Sequence, residues 1–415
     1  MARIKNDSIL VFCPESCGGT AEHVHYQATA LADMGVNVVV ACPRDYRSGA
    51  AGEARYELAP IFPEESIRLS ISKHSLLGRW RRLLALAWHL VSSQWRLAVL
   101  VARGQFRYVL LGGFGEYLSP FWVWPHLWFS KFAGVSYVAN LHDPVRDFKV
   151  GPLWWHRISV RLAFSYLRGC LVHSSVTDPD AVPGHVELLE APVGVYEVSA
   201  IPIDAAVLRS EWGLPDDSVV FLSFGFIRDG KNLDLLIRSL CDNPRARLIV
   251  AGRAQSSSVG RPVSFYRALA GELGVSDRVI INEGFVPEEA LACYLGVCDV
   301  IALTYSAAFH SQSGVLNLAA RVGKPVLASS GDGPLKDCVC RFSLGVFVPP
   351  DNLSATSEGM AVLVDRVLSA RHGTGSSNVA TRPDWVGYKQ YASWGSNAQK
   401  AMHLLGLRNQ AGLTL

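Results

Sequence analysis

The chain has 415 residues, of which 49% are hydrophobic and 18% charged, and its formal net charge is +3. Such a length exceeds what one hydrophobic core fills, so two domains are expected, and so much apolar content excludes a disordered chain. Nine cysteines, an odd number without a regular framework, fit a reducing compartment.

The first apolar run, residues 9–12, reads as a β-strand; ended by Pro14, it is too brief for a signal-peptide core. Gly18 and Gly19 follow, ahead of a helical pattern over residues 24–34. Adjacent glycines between a strand and a helix let a ligand approach the backbone, and free amides at a helix start attract anions. The run is not a G-x-G-x-x-G fingerprint, which removes support for a nicotinamide-binding domain. Cys13 and Cys17, like Cys338 and Cys340, lack the paired spacing of a zinc site, so no bound metal is expected.

Residues 66–115 contain no acidic residue. They carry Arg68, Lys73, Arg79, Arg81, Arg82, Arg96, Arg103 and Arg107, with Trp80, Trp88 and Trp95 interleaved among leucines. Cations meet lipid phosphates and tryptophan settles at the interface, so residues 73–107 are expected to touch an anionic membrane peripherally. More aromatic residues follow at 121–129 and at Trp154 and Trp155. No run of ~18 uninterrupted apolar residues argues for a spanning helix, and no motif points to nucleic acid. A cytoplasmic protein at the inner membrane face is expected.

Valine- and isoleucine-rich runs alternate with helical patterns throughout, which predicts an α/β protein with parallel sheets. Expected strands are 9–12, 36–41, 108–111, 135–141 and 170–173 in the first half. In the second half they are 219–224, 247–251, 279–282, 300–304 and 325–328. Turn residues around 192–205 mark a linker, giving domains of 1–195 and 205–384. Residues 385–407 read as a helical tail. His142 directly follows an apolar strand and is a candidate site residue.

In the second half, the strand at 219–224 runs into Gly225, Arg228 and Lys231. Arginine offers phosphate a planar fork and lysine a compact charge, so this loop suits a diphosphate. Ser313, Gly314 and Val315 then open a helix that Gly323 ends, a second anion cradle.

The order of Gly-x-x-Arg-x-x-Lys at 225–231, a strand ending in Ala251 and Gly252, Glu283-Gly284-Phe285-Val286-Pro287, and Ser-Gly-x-x-x-x-Ala-x-x-x-Gly-Lys-Pro-Val at 313–326 resembles the retaining family 4 glycosyltransferases. The resemblance implies a GT-B fold, with two doubly wound Rossmann-like domains facing a central cleft and the C-terminal helix, about 385–415, returning to the first. It implies a nucleotide sugar in the second domain and a glycan or lipid-linked acceptor in the first, with transfer by retention and no cofactor. Arg228 and Lys231 match the diphosphate-binding pair. Ser313, Gly314 and Val315 match the helix start on the phosphates, Gly18 and Gly19 the opposing glycine loop, and His142 the histidine near the sugar. Gly225, Gly252, Phe285 and Val286 complete the expected donor site.

The family's two glutamates, eight residues apart, fall here on His310 and Leu318. His310 can still contact sugar hydroxyls, whereas a ribose would need Asn317 or the main chain. Alternatives are a sugar-nucleotide epimerase of the same fold and a non-catalytic scaffold binding nucleotide sugar or membrane.

Overall fold

The computed structural model describes residues 8–46, 55–64, 76–104, 106–142, 151–173, 182–195, 204–255, 260–373 and 383–407. The chain divides into two compact units, Met1–Gly194 with Ala392–Leu415, and Val195–Tyr391.

The first unit is built on a seven-stranded parallel sheet. Its strands are β1 (Ile9–Phe12), β2 (Val38–Pro43), β3 (Glu57–Phe62), β4 (Tyr108–Leu111), β5 (Ser136–Leu141), β6 (Gly169–Val172) and β7 (Glu187–Glu190), in the order 3-2-1-4-5-6-7. The order reverses between β1 and β4, where open α/β sheets bind ligands beyond the strand ends. Helices α1 (Gly19–Asp33), α2 (Leu76–Gly104), α3 (Val123–Phe132) and α4 (Leu153–Phe164) belong to this unit. In β1, Leu10 and Phe12 enter one core with Leu97 and Val101 of α2, while Ile9 and Val11 enter another with Val24 and Leu31 of α1. Burial on both faces explains why β1 reads as an unbroken apolar run.

The second unit repeats the plan with β8 (Val219–Phe224), β9 (Ala246–Gly252), β10 (Val279–Glu283), β11 (Val300–Thr304), β12 (Val326–Ser329) and β13 (Gly345–Phe347), ordered 10-9-8-11-12-13 and parallel. Its helices are α5 (Ala205–Glu211), α6 (Leu233–Ser239), α7 (Val263–Glu272), α8 (Glu288–Val297), α9 (Gly314–Val322), α10 (Pro334–Arg341), α11 (Leu353–Arg371) and α12 (Trp385–Tyr391). The reversal lies between β8 and β11, beside the loop carrying Arg228 and Lys231.

Three expectations change. Strands β3, β7 and β13, all at sheet edges, go beyond the expected set. The helical tail is two helices: α12 stays with the second unit, where Tyr388 Oη donates to Asn317 at 2.7 Å, and α13 (Trp394–Leu405) buries Ala398, Ala401 and Leu404 in the first unit's core. Finally, Leu83–Gly104 is long and apolar enough, by length and composition, to cross a membrane; average hydropathy tolerates interruptions that an unbroken-run criterion does not. This stretch nonetheless packs Leu97, Ala98 and Val101 into the core. Much of the expected linker, together with Arg68 and Lys73 and the side chains of Arg79 and Arg82, lies outside the described residues.

Candidate functional site

In the second unit, β8 ends at a close approach of two backbones. Gly225 has φ 95° and Gly252 φ 152°, and a Cβ on Gly252 would lie 2.0 Å from the Gly225 carbonyl oxygen. Only glycine fits there, and the fit brings the loop after β8 against the end of β9. The loop then makes a short 3-10 turn, Asp229–Lys231, and Asn232 takes the left-handed conformation before α6.

The turn is fixed from several sides. Thr304 Oγ1 of β11 donates to the Lys231 carbonyl at 3.0 Å, and the Ser306 amide donates to the Gly230 carbonyl at 3.0 Å. The Asp229 carboxylate accepts from Tyr266 Oη at 2.7 Å and from Arg261 Nε at 3.1 Å. Although partial burial raises its pKa, those bonds and the Arg261 charge hold it below the ordinary carboxylate value. Asp229 is thereby committed to Arg261 and Tyr266.

Lys231 is buried and donates from Nζ to the Phe224 carbonyl. Burial, with the Arg228 charge close by, lowers its pKa to about 7. Arg228 is exposed at the start of the turn. Two cations brought together, one desolvated, form a site that gains from an anion.

A second piece of the site adjoins this loop. Tyr305, directly after β11, is buried and its hydroxyl lies 2.9 Å from Ser313 Oγ. Burial raises the Tyr305 pKa, while the Ser313 bond and the Arg228 charge oppose the rise, which places Arg228 near this pair. Ser313 stands at the N-cap of α9, yet its side chain makes no capping bond to the helix. The amide of Val315, the second residue of α9, therefore lacks the side-chain acceptor that an N-cap serine usually provides.

Gly225, Arg228, Lys231, Ser313, Gly314 and Val315 thus belong to one connected assembly. Gly252 supports it from below, and Phe285 and Val286 follow Gly284, whose amide donates to the Gly252 carbonyl at 3.0 Å. Phe285 is exposed. His310 is exposed and its Nδ1 donates to the Asp332 carbonyl at 2.8 Å, which leaves Nε2 the unprotonated nitrogen. Asn317 does not join the site: it is buried and its Oδ1 receives the Tyr388 hydroxyl, because position 317 falls on the face of α9 turned to α12. Thr304 and Tyr305 escaped the sequence reading, since a strand end gives no sign of which neighbouring loop it braces.

In the first unit, Gly18 at φ 91° caps α1 and needs glycine for that conformation, whereas a Cβ at either Gly18 or Gly19 would meet nothing within 4 Å. Nearby, a cavity of about 290 Å³ opens beyond β1 and β4, lined among others by Glu15, His89, Ser93, Gln94, Gly113 and His142. Ser93 Oγ and Gln94 Oε1 are buried without a hydrogen-bond partner. Both sit on the apolar-patterned α2, where sequence alone gave them no prominence.

His142 lines this cavity, but both of its ring nitrogens are engaged. Nδ1 lies 2.9 Å from His173 Nε2, and Nε2 lies 3.0 Å from the Gly112 carbonyl. The expected contact from His142 to a sugar would have to displace His173 from Nδ1 or the Gly112 carbonyl from Nε2. His23 of α1 packs edge-on to His142, with ring centroids 4.8 Å apart. Burial, reinforced by its two histidine neighbours, holds His23 well below its ordinary pKa, and burial lowers His173 to about 3.

Comparison with known proteins adds to this geometry. Residues 204–372 match the family model described as glycosyl transferases group 1. The D-inositol 3-phosphate glycosyltransferase of Mycobacteroides abscessus is 30% identical over 210 residues, covering 49% of this chain and 43% of that protein. The enzyme of the same name from Xylanimonas cellulosilytica is 32% identical over 194 residues, covering 45% and 44%. The matched stretches span less than half the length of these curated relatives. Among solved structures, Anabaena Alr3699/HepE in complex with UDP aligns with a TM-score of 0.67 at 17% identity, covering 96% of this chain and 100% of that one. WaaG, a glycosyltransferase involved in lipopolysaccharide biosynthesis, aligns with a TM-score of 0.58 at 15% identity, covering 96% and 100%. Likeness of this extent shows a shared fold.

Proposed function

We propose that this protein, whose residues 204–372 match the glycosyl transferases group 1 model and whose fold is shared with GT-B glycosyltransferases, transfers a sugar from a nucleoside-diphosphate sugar to a lipid-linked or glycan acceptor. The observation that carries the reading is the joined assembly of Arg228, Lys231 and the uncapped start of α9. Breaking the bond between the anomeric carbon and the diphosphate leaves charge on the departing phosphate oxygen. The Lys231 ammonium, the Arg228 guanidinium and the amides of Gly314 and Val315 stabilise that charge as it develops. The leaving phosphate can take the acceptor's proton, so retention needs no side-chain base. Uridine is the first base to test, because HepE was solved with UDP and with UDP-glucose.

The acceptor reading rests on the first unit. Ser93 and Gln94 line its cavity together with Glu15 and His89. On α2, α3, α4 and the turn before α3, Trp80, Leu84, Trp88, Phe121, Phe132 and Trp154 are each more than half exposed. Apolar patches of this kind mark contact surfaces, and with Arg81, Arg96 and Arg103 on the same stretch they favour an anionic bilayer that presents a lipid-linked substrate.

A transfer assay tests the whole reading: radiolabelled UDP- and GDP-sugars are incubated with the chain and bacterial lipid extract, and label is followed into the organic phase. Transfer by the wild type that falls at least ~100-fold in Arg228→Ala is expected. Label remaining in the donor with every extract would contradict it, and a new sugar-nucleotide isomer without acceptor would establish the epimerase instead.

A further inference from the structure

We propose that His23, His142 and His173 form a binding site for one divalent transition-metal ion of the zinc class within the first unit. The three rings come from the first turns of α1 and the ends of β5 and β6, and one nitrogen of each lies within 4.8 Å of the others. His142 Nε2 lies 3.0 Å from the Gly112 carbonyl and His173 Nδ1 lies 3.1 Å from the Ala191 carbonyl. A carbonyl only accepts, so each ring places its proton there. That fixes both tautomers and leaves His142 Nδ1 and His173 Nε2 as lone pairs aimed at one another across 2.9 Å.

Two lone pairs at that distance repel unless something electron-poor lies between them. His23 supplies the third ligand. It is 1% exposed, and neither of its ring nitrogens has a hydrogen-bond partner, a costly state for a buried polar group. Backbone carbonyls grip the far nitrogens of His142 and His173, the usual support of metal-bound histidines, and imidazole suits zinc, copper, nickel and iron. Two nitrogens on one tetrahedral zinc stand ~3.3 Å apart, so the His142 and His173 rings need to separate by only a few tenths of an ångström. Burial favours the neutral imidazole, the form that binds metal.

The ion would tie α1 to two strands under the cavity lined by His142. It is distinct from the diphosphate site, and its test is independent of transfer activity. The purified full chain, stripped with chelator and dialysed, is titrated with Zn²⁺ and Co²⁺ and its metal content and Co²⁺ absorption are measured. One equivalent per chain, a Co²⁺ spectrum of nitrogen ligation and a rise in Tm on adding Zn²⁺ are expected. His23→Gln should lose all three, while His403→Gln, on an exposed residue of α13, should keep them. Less than about a tenth of an equivalent in the wild type would overturn the proposal, as would full binding in His23→Gln. So would a metal-free chain whose Tm rises on mild acidification, the behaviour of a shared proton. If His23→Gln fails to fold, the wild-type stoichiometry and spectrum still decide.

Discussion

Lys231 holds its ammonium against the Phe224 carbonyl, out of water and near Arg228. Its folded pKa, about 7, lies below its ordinary value of 10.5, so the buried charge opposes folding fully below about pH 7, and that opposition is relieved as pH rises toward 10.5. Binding has the opposite need. A diphosphate requires the ammonium, so above pH 7 it must bring a proton with it. Affinity for a nucleoside diphosphate should therefore weaken between pH 7.5 and 9, by up to about tenfold per pH unit. A flat calorimetric profile over that range would show that Lys231 does not meet the phosphates. Arg228 and Lys231 stand out in the sequence as charges between a strand and a helix, where alone they could equally be solvated; the Ser313–Gly314 helix start downstream is what pointed to an anion site. Asn317 was not, since sequence does not reveal which face of α9 turns to α12. His142 stood out in the sequence because it directly follows an apolar strand, but its neighbours His23 and His173 come from elements remote in sequence.

At the scale of elements, the loop after β8 depends on the backbone contact between Gly225 and Gly252. Gly252→Ala puts a methyl group 2.0 Å from the Gly225 oxygen, and this should cost about 2 kcal/mol or more, a fall in Tm of roughly 4 °C or more. Gly314→Ala, where a Cβ meets nothing within 4 Å, should leave Tm nearly unchanged. Equal melting of the two variants would refute the close-approach argument. Interior strands were readable because burial on both faces makes them unbroken apolar runs, as in Ile9-Leu10-Val11-Phe12. The unexpected strands are edges, and edges carry what blunts them: Pro60 in β3, Glu187 and Glu190 in β7, and only three residues in β13. Their composition hides them from a hydrophobic pattern.

For the molecule as a whole, the proposed function assigns the meeting of an acceptor to the exposed aromatic residues of the first unit and the holding of a donor to the cationic assembly of the second. Replacing Trp80, Trp88 and Trp154 together by serine should abolish flotation with anionic liposomes while leaving Tm within a few degrees, because each is more than 60% exposed. Undiminished flotation would remove the membrane from the account. The repeated strand order, 3-2-1-4-5-6, places the Arg228 loop at a switch point, and that much follows from alternating strands and helices. The central claim, that the second unit holds a nucleoside diphosphate through Arg228 and Lys231, is tested most directly by calorimetric titration of the wild type and Lys231→Met with UDP, GDP and ADP at pH 7. Saturable one-site binding of at least one of them is expected, weakened about 10-fold to 100-fold by Lys231→Met, the worth of one charge-assisted hydrogen bond. Binding of none of the three, or equal binding by the variant, would contradict it.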